Sequence, residues 1–117
     1  MSENKPDKTT IILVCCTCPR DKAADLARFL IESKLAACVN IVPEVRSIYR
    51  WDNKICDEAE SLLLIKTGRA NYAELELRLR ERHSYEVPEI VAIPIEQGLP
   101  DYLQWVASCL GTDSCAG

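Results

Sequence analysis

Residues 38–67 constrain this chain more than any other stretch, because two β-rich runs flank the polar triplet Asp52-Asn53-Lys54. Asn and Asp tolerate positive φ and bond their own backbone, so the triplet supplies the turn of one long β-hairpin. The arm from Val39 to Trp51 would be roughly 43 Å long at about 3.3 Å per residue. A compact chain of 117 residues is only roughly 35 Å across. The hairpin is therefore expected to overshoot its own domain.

An overshooting arm that carries Tyr49 and Trp51 presents apolar rings and unpaired backbone groups, and both need a cover. A second copy of the chain is the simplest one, which makes Tyr49 and Trp51 candidate interface residues. Pro43 leaves two readings open. It either breaks the arm into two shorter strands that bend over one core, or the arm continues past it.

The chain is expected to form one domain over residues 10–111, between disordered tails at 1–9 and 112–117 that are polar or small and lack periodicity. Its net charge of -4 gives no general attraction for nucleic acid. No apolar run approaches the ~18 residues of a membrane span, and the polar start lacks a secretion-signal layout, so a cytoplasmic location is expected. Seven cysteines, an odd number, point to reduced thiols rather than a disulfide framework.

Taken in order, Thr10 to Thr17 is apolar on both alternating faces and reads as a central strand. Asp21 is positioned to cap a helix from about Lys22 to Lys34, whose stripe of Ala23, Leu26, Ala27, Leu30 and Ile31 faces the core. Asn71 to His83 alternates with period two over Glu74 to Arg80. Glu, Leu and Arg favour a helix, as do the Asn71/Glu74 capping box and the pairs Glu74/Arg78 and Glu76/Arg80. Ile90 to Ile95 is a short strand that Pro94 confines to an edge or an end. Tyr102, Trp105, Val106 and Cys109 give a last amphipathic helix, with Gly111 as its C′ residue. The order βαββαβ plus a terminal helix is an α+β, ferredoxin-like sandwich with helices on one face of the sheet.

Several segments at consistent spacing resemble the CutA family of divalent cation tolerance proteins. They are Ala36-Ala37-Cys38-Val39-Asn40-Ile41, Ser47-Ile48-Tyr49-Arg50-Trp51, Lys66-Thr67, His83-Ser84-Tyr85-Glu86-Val87-Pro88-Glu89-Ile90 and Asp101-Tyr102-Leu103-Gln104-Trp105. The resemblance covers about residues 10 to 110. It implies a homotrimer built by strand pairing between neighbouring subunits, as in the PII signalling proteins, and a link to tolerance of copper and other divalent metals. It also implies that Cys16 and His83 occupy positions proposed as metal ligands in bacterial members. Arg82 stands here where that pattern has the first histidine of an adjacent pair, and a guanidinium cannot ligate a cation.

Cys16 and Cys18 share a face of the first strand and Cys15 takes the other. The candidate metal set is therefore Cys16, His83 and Cys18, soft ligands suited to copper(I) or zinc, while Cys15 packs in the core. The metal is not required for folding. The competing reading of His83 is a residue capping a helix end. The alternative function is a PII-like signalling or scaffold module that holds an anionic or nucleotide-like effector between subunits. Lys66, Tyr85 and Glu89 would line that cleft, and Glu58 and Glu60 would line it too or hold a hard cation. A single histidine leaves no Ser-His-Asp series, so an enzyme is not expected.

Overall fold

The computed structural model describes residues 10–111. The two tails assigned from the sequence, 1–9 and 112–117, lie outside the described residues. Strand β1 (Ile11–Cys18) leads through a 3₁₀ turn into α1 (Ala23–Glu32). The hairpin β2 (Cys38–Trp51) and β3 (Lys54–Gly68) follows, then α2 (Tyr72–Arg82), β4 (Ile90–Pro94) and α3 (Pro100–Ser108). The four strands form one antiparallel sheet in the order β2-β3-β1-β4, the ferredoxin-like arrangement. β2 and β4 are its two free edges, and Pro94 ends the latter.

The hairpin turn uses two residues of the polar triplet. Asp52 and Asn53 have φ of 54° and 61°, the paired left-handed conformations of a type I′ turn, and Lys54 already pairs with Trp51. The arm does overshoot: the molecule measures 54 × 26 × 21 Å. Pro43 does not break it. The pairing slips between Val42 and Val45, so that Pro43 and Glu44 form a bulge, and Ser61 Oγ caps the Pro43 carbonyl at 2.8 Å. Farther out, Arg46 clasps Asp57 with two parallel bonds of 2.9 and 2.8 Å.

The core lies between α1, α2 and one face of the sheet, where Leu30, Leu75 and Leu79 meet Val14, Leu63 and Ile65, all fully buried. Alternation along β1 puts Ile12, Val14, Cys16 and Cys18 on that face. This reverses the expected packing of the cysteines. Cys16 and Cys18 are the core pair and Cys15 is half-exposed, because α1 and α2 cover the even-numbered side of the strand. On the other face α3 lies against β3 and β1. Its Tyr102 sits beside Cys38, which alternates away from the core residue Val39. Val91 and Ile93 of β4 remain half-exposed.

Several local expectations are corrected. Asp21 does not cap α1. It sits inside the 3₁₀ turn Arg20–Lys22, and no side chain caps the helix. The helix stops at Glu32 because Lys34 takes φ 60° as the C′ residue of a Schellman motif, with bonds from Leu35 N to Leu30 O and from Lys34 N to Ile31 O. Ile31 is 40% exposed on the flank of the apolar stripe rather than in the core. Asn71 likewise makes no capping bond, since a 3₁₀ turn over Arg69–Asn71 precedes α2. Of the two expected pairs on α2, Arg78 reaches Glu74 at 3.4 Å, while Glu76 accepts from the Tyr72 hydroxyl instead. Gly111 is not the C′ residue of α3, which ends at Ser108. Its amide bonds the Lys34 carbonyl at 2.8 Å, docking the end of α3 on the end of α1.

Candidate functional site

The site forms where the C-terminal end of β1, the middle of β3 and the segment between α2 and β4 converge under the arm. Pro88 forbids a helix through this segment, so the chain from His83 to Glu89 runs as irregular backbone and can aim its side chains at the sheet. His83 closes α2 with its amide, which bonds the carbonyls of Leu79 and Arg80. Its ring then turns inward and is buried. Nε2 donates to the Thr17 carbonyl at 2.8 Å and Nδ1 accepts the Tyr85 amide at 3.2 Å. Those partners define the tautomer, with the proton on Nε2, and occupy both ring nitrogens. His83 is thus the C-cap of α2, as one sequence reading had it, and its buried ring also pins α2 to β1.

Tyr85 follows directly, its ring 4.7 Å from that of His83, and donates its hydroxyl to Glu60 Oε2 at 2.6 Å. Glu60 is 5% exposed. Glu58, two residues away on the same side of β3, accepts the Tyr49 hydroxyl at 2.9 Å across the hairpin. Thr17 Oγ1 points to Glu89 Oε1 at 3.5 Å. Burial, followed by the bond to Glu60, raises the Tyr85 phenol well above the ordinary range. The bond to Glu58 pushes Tyr49 up to about 12.

These groups line a cleft of about 540 Å³. Thr17 and Glu60 form its floor, Tyr85, Glu86, Val87 and Glu89 one wall, and Ser47, Ile48, Tyr49 and Trp51 of the arm the other. Its size falls within the range of small-molecule sites, roughly 300 to 1,000 Å³. Tyr85, Glu89 and Glu60 come together in this cleft within one chain, with Glu58 bonded to the wall residue Tyr49. Lys66 does not join them. It lies farther along β3, opposite Leu13 and Cys38, and its ammonium bonds Asn40 Oδ1 and approaches Cys38 Sγ at 3.9 Å. Thr17, Ser47, Ile48, Glu86 and Val87 were missed in the sequence. Strand alternation from Glu60 and the proximity of Glu86 and Val87 to Tyr85 were the signals that could have found them.

The proposed metal ligands do not fit a metal centre as folded. Cys16 has no exposed surface, and its thiol donates to the Thr17 carbonyl at 3.6 Å. Burial first, then the charges of Cys18, Glu89 and Glu60, pushes it up to about 12. Burial and Glu60 push Cys18 up to about 11. Thiolates bind metals and thiols bind them poorly. Among the described residues no three His, Cys, Asp or Glu side chains converge on a point where an ion would sit. No helix there is long and apolar enough to cross a membrane.

An antiparallel sheet of this strand order, with α1 and α2 packed on one face, defines the class of ferredoxin-like α+β domains. Comparison with known proteins makes this specific. Residues 12–109 match the family described as CutA1 divalent ion tolerance protein, and the chain belongs to that family. It is 50% identical over 91 residues to the Protein CutA homolog of Xenopus laevis, an alignment covering 77% of this chain and 60% of that protein. With the Divalent-cation tolerance protein CutA of Thermus thermophilus it shares 44% identity over 100 residues, 85% of this chain and 97% of that one. The solved structure of CutA1 from Oryza sativa superposes with a TM-score of 0.85 at 40% identity, over 87% of this chain and 94% of that one. The chain spans 60% of the length of the Xenopus relative and 51% of the mouse one.

Proposed function

We propose that the protein serves in divalent-cation tolerance as a self-assembling binding protein that recognises a small effector in the Glu60–Tyr85 cleft, not as a copper store built on Cys16 and His83. The single observation that carries this reading is the cleft itself. It has a ligand-sized volume, a buried carboxylate on its floor and one wall supplied by an arm that extends beyond the domain. That arm leaves Ile48 at 63%, Trp51 at 46% and Ile55 at 72% exposure. Neighbouring copies of the chain cover those side chains and close the cleft, and the family resemblance supports three copies. The two free sheet edges, on β2 and β4, suit a head-to-tail ring, in which different surfaces meet at each contact.

The test is a thermal-shift screen of the full chain against amines, amino acids, nucleotides, organic acids and divalent ions, repeated on Tyr85→Phe. A compound that binds only the folded state raises the midpoint, and the raise shrinks in the variant. Absence of any shift across all classes contradicts an effector site. A parallel titration of the reduced protein with copper(I) separates the competing reading. Submicromolar binding abolished by both Cys16→Ala and His83→Ala would restore the copper centre.

A further inference from the structure

Every hydroxyl whose bond defines the cleft gives its proton to a carboxylate. Tyr85 donates to Glu60, Tyr49 to Glu58 and Thr17 to Glu89. A phenol has one proton, so once it is given away the oxygen presents only lone pairs, and an ionised carboxylate has none to give. At these three pairs an occupant meets acceptors, while the side-chain donors that remain on the lining are the Trp51 indole N–H and the Ser47 hydroxyl. The raised phenols of Tyr85 and Tyr49 keep those protons where they are.

The charge is also uncompensated. The ion pairs among the described residues are Arg20 with Glu44, Arg46 with Asp57, and Arg78 with Glu74, and none reaches Glu60, Glu86 or Glu89. Among the described residues no Lys, Arg or His lines the cleft. Glu60 is 95% covered, one of its oxygens is bonded to Tyr85, and the other receives no hydrogen bond from any described residue. Buried charges are ordinarily paired; the second oxygen of Glu60 is not sealed in, since no fully buried side-chain oxygen among the described residues lacks a partner, and it meets no cation among those residues.

We propose that the missing cation belongs to the effector, and that the cleft takes a small organic cation: an ammonium or guanidinium head with N–H donors on an apolar stem. The reading rests on the effector site proposed above and specifies its chemistry. Glu60 receives the head, and Glu86 and Glu89 add negative potential around it. Tyr49 and Trp51 offer ring faces to the charge, and Ile48 and Val87 pack on the stem. A bare divalent ion is disfavoured because no three ligating side chains converge among the described residues. An anionic or nucleotide-like effector, the expectation from PII-like proteins, meets carboxylates with no cation to answer its phosphates.

Calorimetric titration of the full chain at low ionic strength tests this with putrescine and agmatine as cationic probes, and butanol, magnesium chloride and ATP as controls. Putrescine or agmatine is expected to bind, more weakly as salt rises, while butanol does not. Glu60→Gln keeps the shape and the acceptor for Tyr85, and it is expected to weaken binding about tenfold or more through loss of a charge-assisted bond. Glu89→Gln, on the wall beside Thr17, gives a smaller loss in the same direction and covers the case in which Glu60→Gln misfolds. Equal affinity in wild type and both variants overturns the proposal, as does binding of ATP or magnesium in preference to the amines. In those last two cases the effector site survives and only its ligand class fails. If amines do not bind and Glu60→Gln instead weakens self-association, the cation is a Lys or Arg of a second copy, and the small-molecule proposal is overturned.

Discussion

The Nε2 of His83 lies 2.8 Å from the carbonyl oxygen of Thr17, so one imidazole ties the end of α2 to the end of β1. With Nδ1 engaged by the Tyr85 amide, the ring also sets where Tyr85 starts its reach toward Glu60. Replacing it leaves buried backbone groups without partners and a cavity beside them. His83→Ala is expected to lower unfolding free energy by about 2 to 3 kcal/mol, read as a lower urea midpoint at unchanged slope. A variant as stable as the wild type would contradict the pin.

The Glu60–Tyr85 bond makes an asymmetric prediction. Tyr85→Phe strips the nearly covered carboxylate of the hydroxyl 2.6 Å away and should cost about 1 to 3 kcal/mol. Glu60→Gln retains an amide oxygen that accepts the same proton, so its cost is smaller. Equilibrium denaturation of both variants checks the order, and a larger loss in Glu60→Gln would reverse the assignment of donor and acceptor.

The core thiols predict alkaline instability. The folded values of Cys16 and Cys18 are pushed up to about 12 and about 11 from an ordinary value of 9.0. Above pH 9 the unfolded chain loses these protons while the folded chain keeps them, so stability falls as pH rises. Their contribution is intact below pH 9 and is lost between there and pH 11 to 12, on the order of a few kcal/mol. A Cys16→Ala, Cys18→Ala double variant should fall less steeply over that window. Parallel curves would show that the thiols are not what titrates.

Much of the fold was legible because its strongest signals are local. The alternation and turn residues of 38–67 gave the hairpin, and helix propensity overrode the misleading period two of Glu74 to Arg80. The side-chain caps were not legible, because Asp21 and Asn71 were absorbed into 3₁₀ turns that also satisfy the first amides. The faces of Cys15 and Cys16 could not be assigned because β1 is apolar on both, and only the placement of α1 and α2 decides which is covered. At the site, Glu60, Tyr85 and Glu89 could be named from their residues. Their grouping apart from Lys66 depends on strand register, which fixes Lys66 opposite Cys38 and Glu60 opposite Val45.

Lys34 shows where the chain tolerates local strain. It holds φ 60° at the end of α1, a conformation that glycine adopts without a Cβ clash. Lys34→Gly is expected to raise stability by about 1 kcal/mol, since the Schellman bonds and the carbonyl that receives Gly111 are all backbone. Thermal denaturation reads the shift, and a loss of stability would mean that the lysine side chain contributes more than its backbone costs.

The account depends above all on the arm being covered by other copies of the chain. Sedimentation equilibrium of the purified protein at micromolar concentration tests this directly. It should return a mass of three times 13.1 kDa that does not dissociate on moderate dilution. A well-folded species sedimenting at 13.1 kDa would contradict it.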